Sequence, residues 1–480
     1  MRTGREPMAR EITDVVRRLT AMIRREVRER LGSGSTFEQR RDAAVALTND
    51  ALWLDADDDL QEAKTTAEEI EVEGHWYRRL DQDSSATYYS RWGSHHVEEA
   101  LYREVGQHNG PTVKPIEVLV GIIEHMTPDM ARIVGELSAY GGSRGLARTL
   151  GATGLVAPSR AFLAKRTTKM GDEIAEAVAE LEAVSRTEEV LPEGIASASC
   201  GLDRMAVRMS EPVDEEQASA ILRTRTEPYE RTPPPLKEHH YREAWVGSAS
   251  VYDGDGKELH TWRYSVEAEA DRAKLADRVA ADVAWILRAN PGAQIHCIQD
   301  AAKELRAMPE ALTRVLSVNG KSFVELVDLE HLMGYLENVV DACEPEGDPH
   351  NMKSWYRGEL LCDDGAIDRI WRSLRGKIQR LPGRNTKARN AVAKALSYIK
   401  NRKSKMRYAS HYAANLPIGS GATESTCWQM QQRVKLPGQS WETQGLRGIL
   451  AMRALALSDR WDTAWQPYAA SHRKEIRIEA

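Results

Sequence analysis

Hydrophobic and polar positions recur with different periods along the chain, and the change of period predicts where helices give way to strands. Before residue 194 most segments have the three-to-four-residue period of helices, as in "PIEVLVGIIEHMTPDMARIVGELSAYGG" (115–142). Two features interrupt the helices. One is an acidic, flexible linker at 55–73, and the other is "ATYYSRWGSHHVEEALYREVG" (86–106), which predicts two short strands around Gly93. We therefore expect a mainly helical N-terminal region with one hairpin.

From residue 194 onward the pattern is that of strands alternating with helices. "IASASCGLDRMAVRM" alternates small or apolar residues around Asp203, as a strand does. In a later segment "DGDG" supplies the positive-φ positions of a tight turn, which predicts a hairpin. The predicted order is β-β-β-α-β-α-β-α. Its elements are a strand at 195–209, the hairpin at 242–266, a helix at 268–289, a strand at 293–302, a helix at 303–316, a strand at 321–328 and a helix after it.

The charges are unevenly distributed along a chain whose net charge is −6. Acidic residues concentrate at 55–73 and 172–193, whereas 372–407 contains many Lys and Arg but no Asp or Glu. A solvated helical face is the simpler interpretation of such a run. At this density we favour a surface that binds a polyanion, because phosphate binding needs local positive charge. The cations are at positions 372, 375, 377, 380, 384, 387, 389, 394, 400, 402, 403, 405 and 407.

Composition excludes several classes of protein. The cysteines are 5 in number, far apart and without a CxxC pair, so we expect reduced thiols and neither a disulfide framework nor a zinc site. No apolar run reaches the length of about 18 residues that a membrane span needs. The N-terminus reads as a charged amphipathic helix and lacks the apolar centre of a signal peptide. We expect a cytoplasmic, nucleoid-associated protein with no membrane partner.

A helix-turn-helix pattern precedes the strands. A short helix at 143–150, the turn "GATGLVA" and a second helix at 158–170 follow one another. The second helix carries Arg160, Lys165 and Arg166, which would contact DNA if it entered a major groove. Two helices joined by a glycine-containing turn also occur in helical domains that do not bind DNA.

Three carboxylates could converge in the strand-rich region. Asp203 lies in the middle of the first strand and Asp300 at the end of the fourth, and Glu424 follows much later in a helix after "PIGSG". Carboxylate oxygens from different elements are the ligands of hard divalent cations, and two such ions can assist phosphoryl transfer. The long interval between Asp300 and Glu424 predicts a helical insertion that contains the basic run.

Five blocks of the sequence, in this order between about 86 and 466, resemble the bacterial insertion-sequence DDE transposases of the ISKra type. They are "GLDRMAVRM", "IQDAAKEL", "LVDLEHLMGYLENVV", "LPIGSGATESTCWQMQQRVKLPGQSW" and "LRGILAMRALALSDRWDTAW". The resemblance implies an RNase H-like catalytic core with an all-helical insertion and an N-terminal DNA-binding region. It places Asp203, Asp300 and Glu424 at the three catalytic, metal-binding positions. Two departures are Ala301 in place of the usual glycine and the absence of the N-terminal cysteine-rich zinc module that many relatives carry.

Further residues have both a functional and a structural interpretation. Asp328 and His331 fill an auxiliary D-x-x-H motif in the resemblance, but Asp328 is favoured as the N-cap of a helix starting at 329 and His331 could be purely structural. Asp300 could likewise cap a helix. Arg433 and Lys435 are predicted phosphate contacts, with a plain surface role as the alternative.

We thus expect an α+β or α/β multidomain protein and predict a DDE transposase. It would use two Mg²⁺ ions, which Mn²⁺ can replace, and no zinc. Its partners would be double-stranded DNA, both terminal inverted repeats and target, and further copies of itself in a synaptic complex. Two alternatives are a catalytically inactive DNA-binding protein, such as a self-repressor or domesticated regulator, and an RNase H-like structure-specific nuclease. The predicted domains are a helical segment with an acidic linker (1–80), a DNA-binding domain (81–190, with the helix-turn-helix at about 143–171), the first part of the core (194–334), the basic insertion (335–412) and the C-terminal helices of the core (413–480).

Overall fold

The computed structural model describes residues 8–214, 236–267, 271–300, 302–318, 320–348 and 350–478. It contains helices together with two five-stranded sheets, so the protein is a mixed α+β molecule. The chain forms two compact units. Unit 1 comprises Met1–Met170 and Trp465–Ala480, and unit 2 comprises Gly171–Ala464. Among the described helices, none combines the length and the apolar character that crossing a membrane requires.

Unit 1 is built around an antiparallel sheet with the strand order β10-β1-β2-β3-β4. Its longest pair is the β2–β3 hairpin, which confirms the predicted hairpin but is longer than expected. The elements are α1 (Met8–Leu31), α2 (Phe37–Glu62), β1 (Glu69–Val72), β2 (His75–Ser90), β3 (Gly93–Glu104), β4 (Thr112–Val113), α3 (Pro115–Val120), α4 (Pro128–Tyr140), α5 (Ser143–Ala152) and, near the C-terminus, β10 (Ile476–Ile478).

The prediction of a flexible acidic linker at 55–73 is wrong. Thr36 and Gln39 form a capping box that starts α2, and the helix continues through the acidic residues to Glu62. β1 then pairs with β2 on one side and with β10 on the other. Acidic residues continue a helix readily when their side chains face solvent, so charge density alone does not predict a break.

Unit 2 contains the second sheet and most of the remaining helices. The elements that follow α5 in the chain are α6 (Arg160–Glu188), β5 (Ser197–Pro212), β6 (Lys237–Tyr252), β7 (Glu258–Val266), α7 (Arg272–Ala289), β8 (Gln294–Gln299), a 3₁₀ turn (Lys303–Arg306), α8 (Ala307–Ser317), β9 (Val324–Val327), α9 (Leu329–Cys343), α10 (Met352–Cys362), α11 (Ala366–Arg380), α12 (Thr386–Lys400), a 3₁₀ turn (Lys403–Lys405), α13 (Ala409–Ala413), α14 (Gly421–Val434), α15 (Thr443–Leu457) and α16 (Trp461–His472).

The second sheet has the strand order β7-β6-β5-β8-β9. β5, β6 and β7 are antiparallel neighbours, whereas β5, β8 and β9 run parallel. The predicted hairpin at 242–266 is therefore confirmed, and the first and fourth strands, β5 and β8, are adjacent. One face of the sheet buries apolar side chains, among them Leu202 and Ile295, against α7 and α8. Burial of this face stabilises the sheet through the hydrophobic effect.

A second core lies among the helices that follow β9. Leu336, Tyr356, Ile370 and Val392, one from each of α9 to α12, are all buried in it. Between β9 and α14 the described residues form helices and no strand, which confirms the predicted helical character of the region around 335–412. This region thus has a hydrophobic core of its own.

The helix predicted at 158–170 is the first part of a longer helix, α6, which continues to Glu188. Gly171 lies inside this helix and faces Gly448 of α15. A Cβ atom at Gly171 would stand 3.0 Å from the Gly448 Cα and 2.8 Å from the Met452 Cε. Glycine is needed here because two helix backbones approach closely, and not because the chain turns.

Candidate functional site

Asp203 and Asp300 come together because β5 and β8 are parallel neighbours. Cys200 and Cys297 are paired in the register of these strands, and each aspartate lies three residues further along its chain. Burial raises the pKa of the Asp203 carboxyl and the charge of Asp300 raises it further, while the main-chain N–H of Arg204, 2.7 Å away, opposes both. Two carboxylates that repel each other next to the end of a parallel strand form a site whose charge a cation would compensate.

Asp300 is held by two ring side chains from the helical region. The Tyr398 hydroxyl of α12 donates to Asp300 Oδ1 at 3.2 Å, and His331 Nε2 of α9 lies 3.4 Å from the same oxygen. Burial and the charge of Asp300 raise the pKa of Tyr398, so its hydroxyl stays protonated and remains a donor. These contacts orient the Asp300 carboxylate.

Glu424 lies in the first turn of α14, as predicted. The helix packs against the sheet, where the hydroxyls of Thr423 and Ser248 are 2.7 Å apart. Gly201 of β5 permits this approach, since a Cβ atom there would stand 3.0 Å from Thr423 Oγ1 and 2.3 Å from the carbonyl oxygen of Ile298. The Glu424 side chain is exposed and accepts a hydrogen bond from Ser420 Oγ at 3.2 Å.

Cys427 links the Glu424 helix to Asp203. Burial raises the pKa of the Cys427 thiol, and the charge of Asp203 raises it further. Glu424 is three residues before Cys427, so the two side chains share one side of α14. Nevertheless, no three His, Cys, Asp or Glu side chains in the described part of the chain are grouped closely enough to hold a metal ion. The structure thus brings Asp203 and Asp300 together and places Glu424 on the neighbouring helix, outside a common ligand set.

Asp328 has a structural role. It is 1% exposed, it caps α9 by accepting from the His331 N–H at 2.6 Å, and its other oxygen accepts from the Ser420 N–H. This confirms the N-cap interpretation. Because both carboxylate oxygens bind main-chain N–H groups, Asp328 joins the start of α9 to the "PIGSG" turn that precedes Glu424.

A groove of about 1070 Å³ runs between α9 and α12 beside Asp300. The rings of Tyr335 and Tyr398 stack in its wall with centroids 4.2 Å apart and planes at 18°. Lys387, Lys394 and Arg402 also line the groove, with Glu330 as the acidic residue among the lining side chains. Aromatic faces together with cations are the features that nucleic-acid strands use for stacking and phosphate contacts.

The residues predicted to contact DNA from α6 are differently placed. Arg160 and Lys165 are exposed, whereas the Arg166 guanidinium donates to Glu124 Oε2 at 2.9 Å and is partly buried. Arg160 and Lys165 can therefore reach a ligand without breaking an ion pair with a described residue.

Arg433 and Lys435 at the end of α14 differ in the same way. Arg433 is 4% exposed with its guanidinium 5.0 Å from the centroid of the Trp441 ring, and burial lowers its pKa to about 10. This leaves little of Arg433 open to a phosphate, while Lys435 is exposed. The cation spacing in the sequence gave no sign that one of the two is buried.

Tyr398, Lys303 and Arg306 lie near Asp300 but were not among the predicted site residues. Lys303 and Arg306 could have been predicted from sequence, since they follow the end of a predicted strand by a few residues and therefore lie close to Asp300. Tyr398 could not have been predicted, because its position depends on how the helical region packs beside the strand that precedes Asp300. A scan against protein-family models and a search of curated proteins find no match to this chain.

Proposed function

We propose that this protein is a DDE-type DNA transposase with an RNase H-like catalytic core. The observation that carries the proposal is the repelling pair of Asp203 and Asp300 on adjacent parallel strands of a five-stranded sheet. The sheet supports it, because the first three strands form an antiparallel meander and the fourth and fifth extend it in parallel beside the first. α14, which carries Glu424, packs on this sheet.

The donor set suits Mg²⁺, because the paired groups are carboxylates whose mutual repulsion a hard divalent cation would relieve. Asp203 and Asp300 would hold the metal and Glu424 would complete the set. When bound, Mg²⁺ ions stabilise the attacking and leaving oxygens of an in-line phosphoryl transfer. Tyr398 and His331 would keep the Asp300 carboxylate turned toward the reacting phosphate.

The DNA would be bound by positive charge that surrounds this carboxylate pair. The groove between α9 and α12 presents Lys387, Lys394 and Arg402 next to Asp300. Exposed cations on α6 would engage the terminal inverted repeats. The proposed reaction is cleavage at the ends of the element, followed by attack of the freed 3′-hydroxyls on target DNA, within an assembly of two or more copies.

The test uses the full chain, Mg²⁺, labelled duplexes carrying the inverted repeats that flank the gene, and a target plasmid. Wild-type protein should form joined products, whereas Asp203→Asn, Asp300→Asn and Glu424→Gln should each lower their yield by about 100-fold or more. Glu258→Gln is the matched control, because Glu258 is an exposed carboxylate at the start of β7. Retained duplex binding in each variant shows that the fold is intact.

A second candidate, a DNA-binding regulator without catalysis, is favoured by one observation. Glu424 does not share a ligand set with Asp203 and Asp300 in the described residues. Wild-type protein that binds the repeats without cutting them would establish this alternative and refute the transposase. Cleavage without joining would indicate an RNase H-like nuclease instead.

A further inference from the structure

A small cavity opens beside Asp300, at the carboxyl ends of β8 and β9. Its volume is about 200 Å³. Three segments form it: the 3₁₀ turn after β8, the end of β9, and the stretch that follows α12. We call it the 303/306 pocket. Its charged lining residues are Lys303, Arg306, Arg402 and Lys405, together with Asp300 and Glu325.

The turn that carries Lys303 and Arg306 is fixed to the strand that carries Asp203. Gln299, which is 6% exposed, donates from Nε2 to the carbonyl oxygen of Leu305 at 2.8 Å. Its Oε1 accepts from the main-chain N–H of Leu202 at 3.3 Å. One buried amide thus sets the position of both cations relative to the Asp203 and Asp300 pair, so the pocket is preorganised.

The positive charge of the pocket is only partly compensated. Lys405 pairs with Glu325, and the Arg402 guanidinium lies 4.7 Å from the centroid of the Tyr398 ring and donates to the Tyr398 carbonyl at 2.9 Å. Lys303 and Arg306 are exposed and make no ion pair or side-chain hydrogen bond with another described residue. Four cations face two carboxylates, so a net positive charge remains for a ligand.

We propose that the 303/306 pocket binds a phosphate group of a nucleic-acid strand, adjacent to the phosphate that reacts at Asp203 and Asp300. Lysine and arginine donors favour phosphate oxygens, and charge-assisted hydrogen bonds of this kind are the strong ones. Asp300 and Glu325 would repel an anion, which places the phosphate toward Lys303 and Arg306. The inference rests on the proposed function, and it specifies where the strand lies.

Arg402 indicates the path of that strand. It lines both the 303/306 pocket and the groove between α9 and α12, and Asp300 is adjacent to both. A strand whose phosphates follow these cations would pass Asp300 between the two cavities. The reacting phosphate would then be held from both sides.

The experiment compares the full-length wild type with the Lys303→Ala/Arg306→Ala double variant and with a matched control. The control is Lys274→Ala/Arg288→Ala, which removes one exposed lysine and one exposed arginine from α7. The probe is a fluorescein-labelled duplex of arbitrary sequence, with Ca²⁺ replacing Mg²⁺ to prevent cleavage. Its Kd is measured at salt concentrations between about 50 and 200 mM, and inorganic phosphate is titrated calorimetrically as a second arm.

We expect the pocket variant to bind the duplex about tenfold more weakly and to lower the slope of log K against log salt by about 0.9, the change for one lost phosphate contact. The control should match the wild type. An unchanged Kd and slope in the pocket variant would overturn the inference. So would a pocket variant that no longer binds inorganic phosphate but binds the duplex as the wild type does. Failure of the proposed function would give a different result. The wild type would then bind the duplex through this pocket but would never form joined products.

Discussion

His296 lies in the middle of β8 with its side chain fully buried. Neither ring nitrogen has a hydrogen-bond partner among the described residues, and the ring meets that of His411 edge to face with centroids 5.3 Å apart. Burial, together with a smaller effect of the charge of His411, lowers the pKa of His296 to about 4. The folded protein therefore holds this imidazole neutral at a pH where the unfolded chain protonates it.

The stability that depends on neutral His296 is complete above the unfolded pKa of about 6.5 and is lost as pH falls toward about 4. The loss amounts to about 3 kcal/mol over that window, since one pKa unit corresponds to about 1.4 kcal/mol. His296→Leu should remove it. Chemical denaturation between these pH values should show the variant gaining stability over the wild type as pH falls, while His350→Leu, at an exposed position, follows the wild type. Parallel curves for His296→Leu would contradict the prediction.

The sequence indicates which residue types matter for function more readily than it indicates which of those residues a ligand can reach. Asp203 was identifiable because aspartate is unusual inside an apolar strand. The sequence predicts Arg433 as a phosphate contact, yet its side chain is buried over Trp441. The difference depends on how α14 and the segment after it fold together, and local spacing carries no information about that.

At the scale of elements, Asp328 joins the start of α9 to the turn before α14. One oxygen accepts from the His331 N–H and the other from the Ser420 N–H. Asp328→Asn keeps one acceptor but replaces the other with an amide donor, so one buried N–H loses its partner. The loss should destabilise the protein by about 1–3 kcal/mol.

The matched control for Asp328→Asn is Asp271→Asn. Asp271 caps α7 by accepting from the Ala273 N–H at 2.9 Å and is exposed, and asparagine caps helices about as well as aspartate. Urea unfolding should therefore show a clear loss of stability for Asp328→Asn and little change for Asp271→Asn. Equal effects in the two variants would mean that the link to Ser420 contributes nothing beyond capping.

Element order in unit 2 was predictable because strands and helices differ in period, and because short hairpins force antiparallel pairing. The errors came from residues with two possible roles. The helix predicted at 158–170 continues past Gly171, which permits the contact of α6 with Gly448. The acids at 55–62 suggested a linker but are part of α2. For Gly171, a partner distant in sequence decides the outcome.

At the scale of the whole molecule, a buried ionic network holds several segments of unit 2 together. Arg460, which is 1% exposed and precedes α16, donates to Asp282 of α7 at 2.8 Å and to Glu189 after α6 at 2.7 Å. Arg186 of α6 also binds Asp282, at 3.1 Å. Asp282 is fully buried, so its charge depends on these partners. Segments far apart in sequence are thus coupled through one carboxylate.

Removing one member of this network should cost much more than removing an exposed ion pair. Arg460→Met leaves the Asp282 carboxylate buried with fewer partners, and we expect a loss of about 3–5 kcal/mol. Arg314→Met is the control, because Arg314 and Asp277 are both about half exposed and such pairs contribute at most about 1 kcal/mol. Asp282→Leu/Arg460→Met removes both charges, so it should recover much of the stability lost in Arg460→Met. If the double variant unfolds at the same urea concentration as Arg460→Met or below it, the uncompensated charge of Asp282 is not the source of the loss.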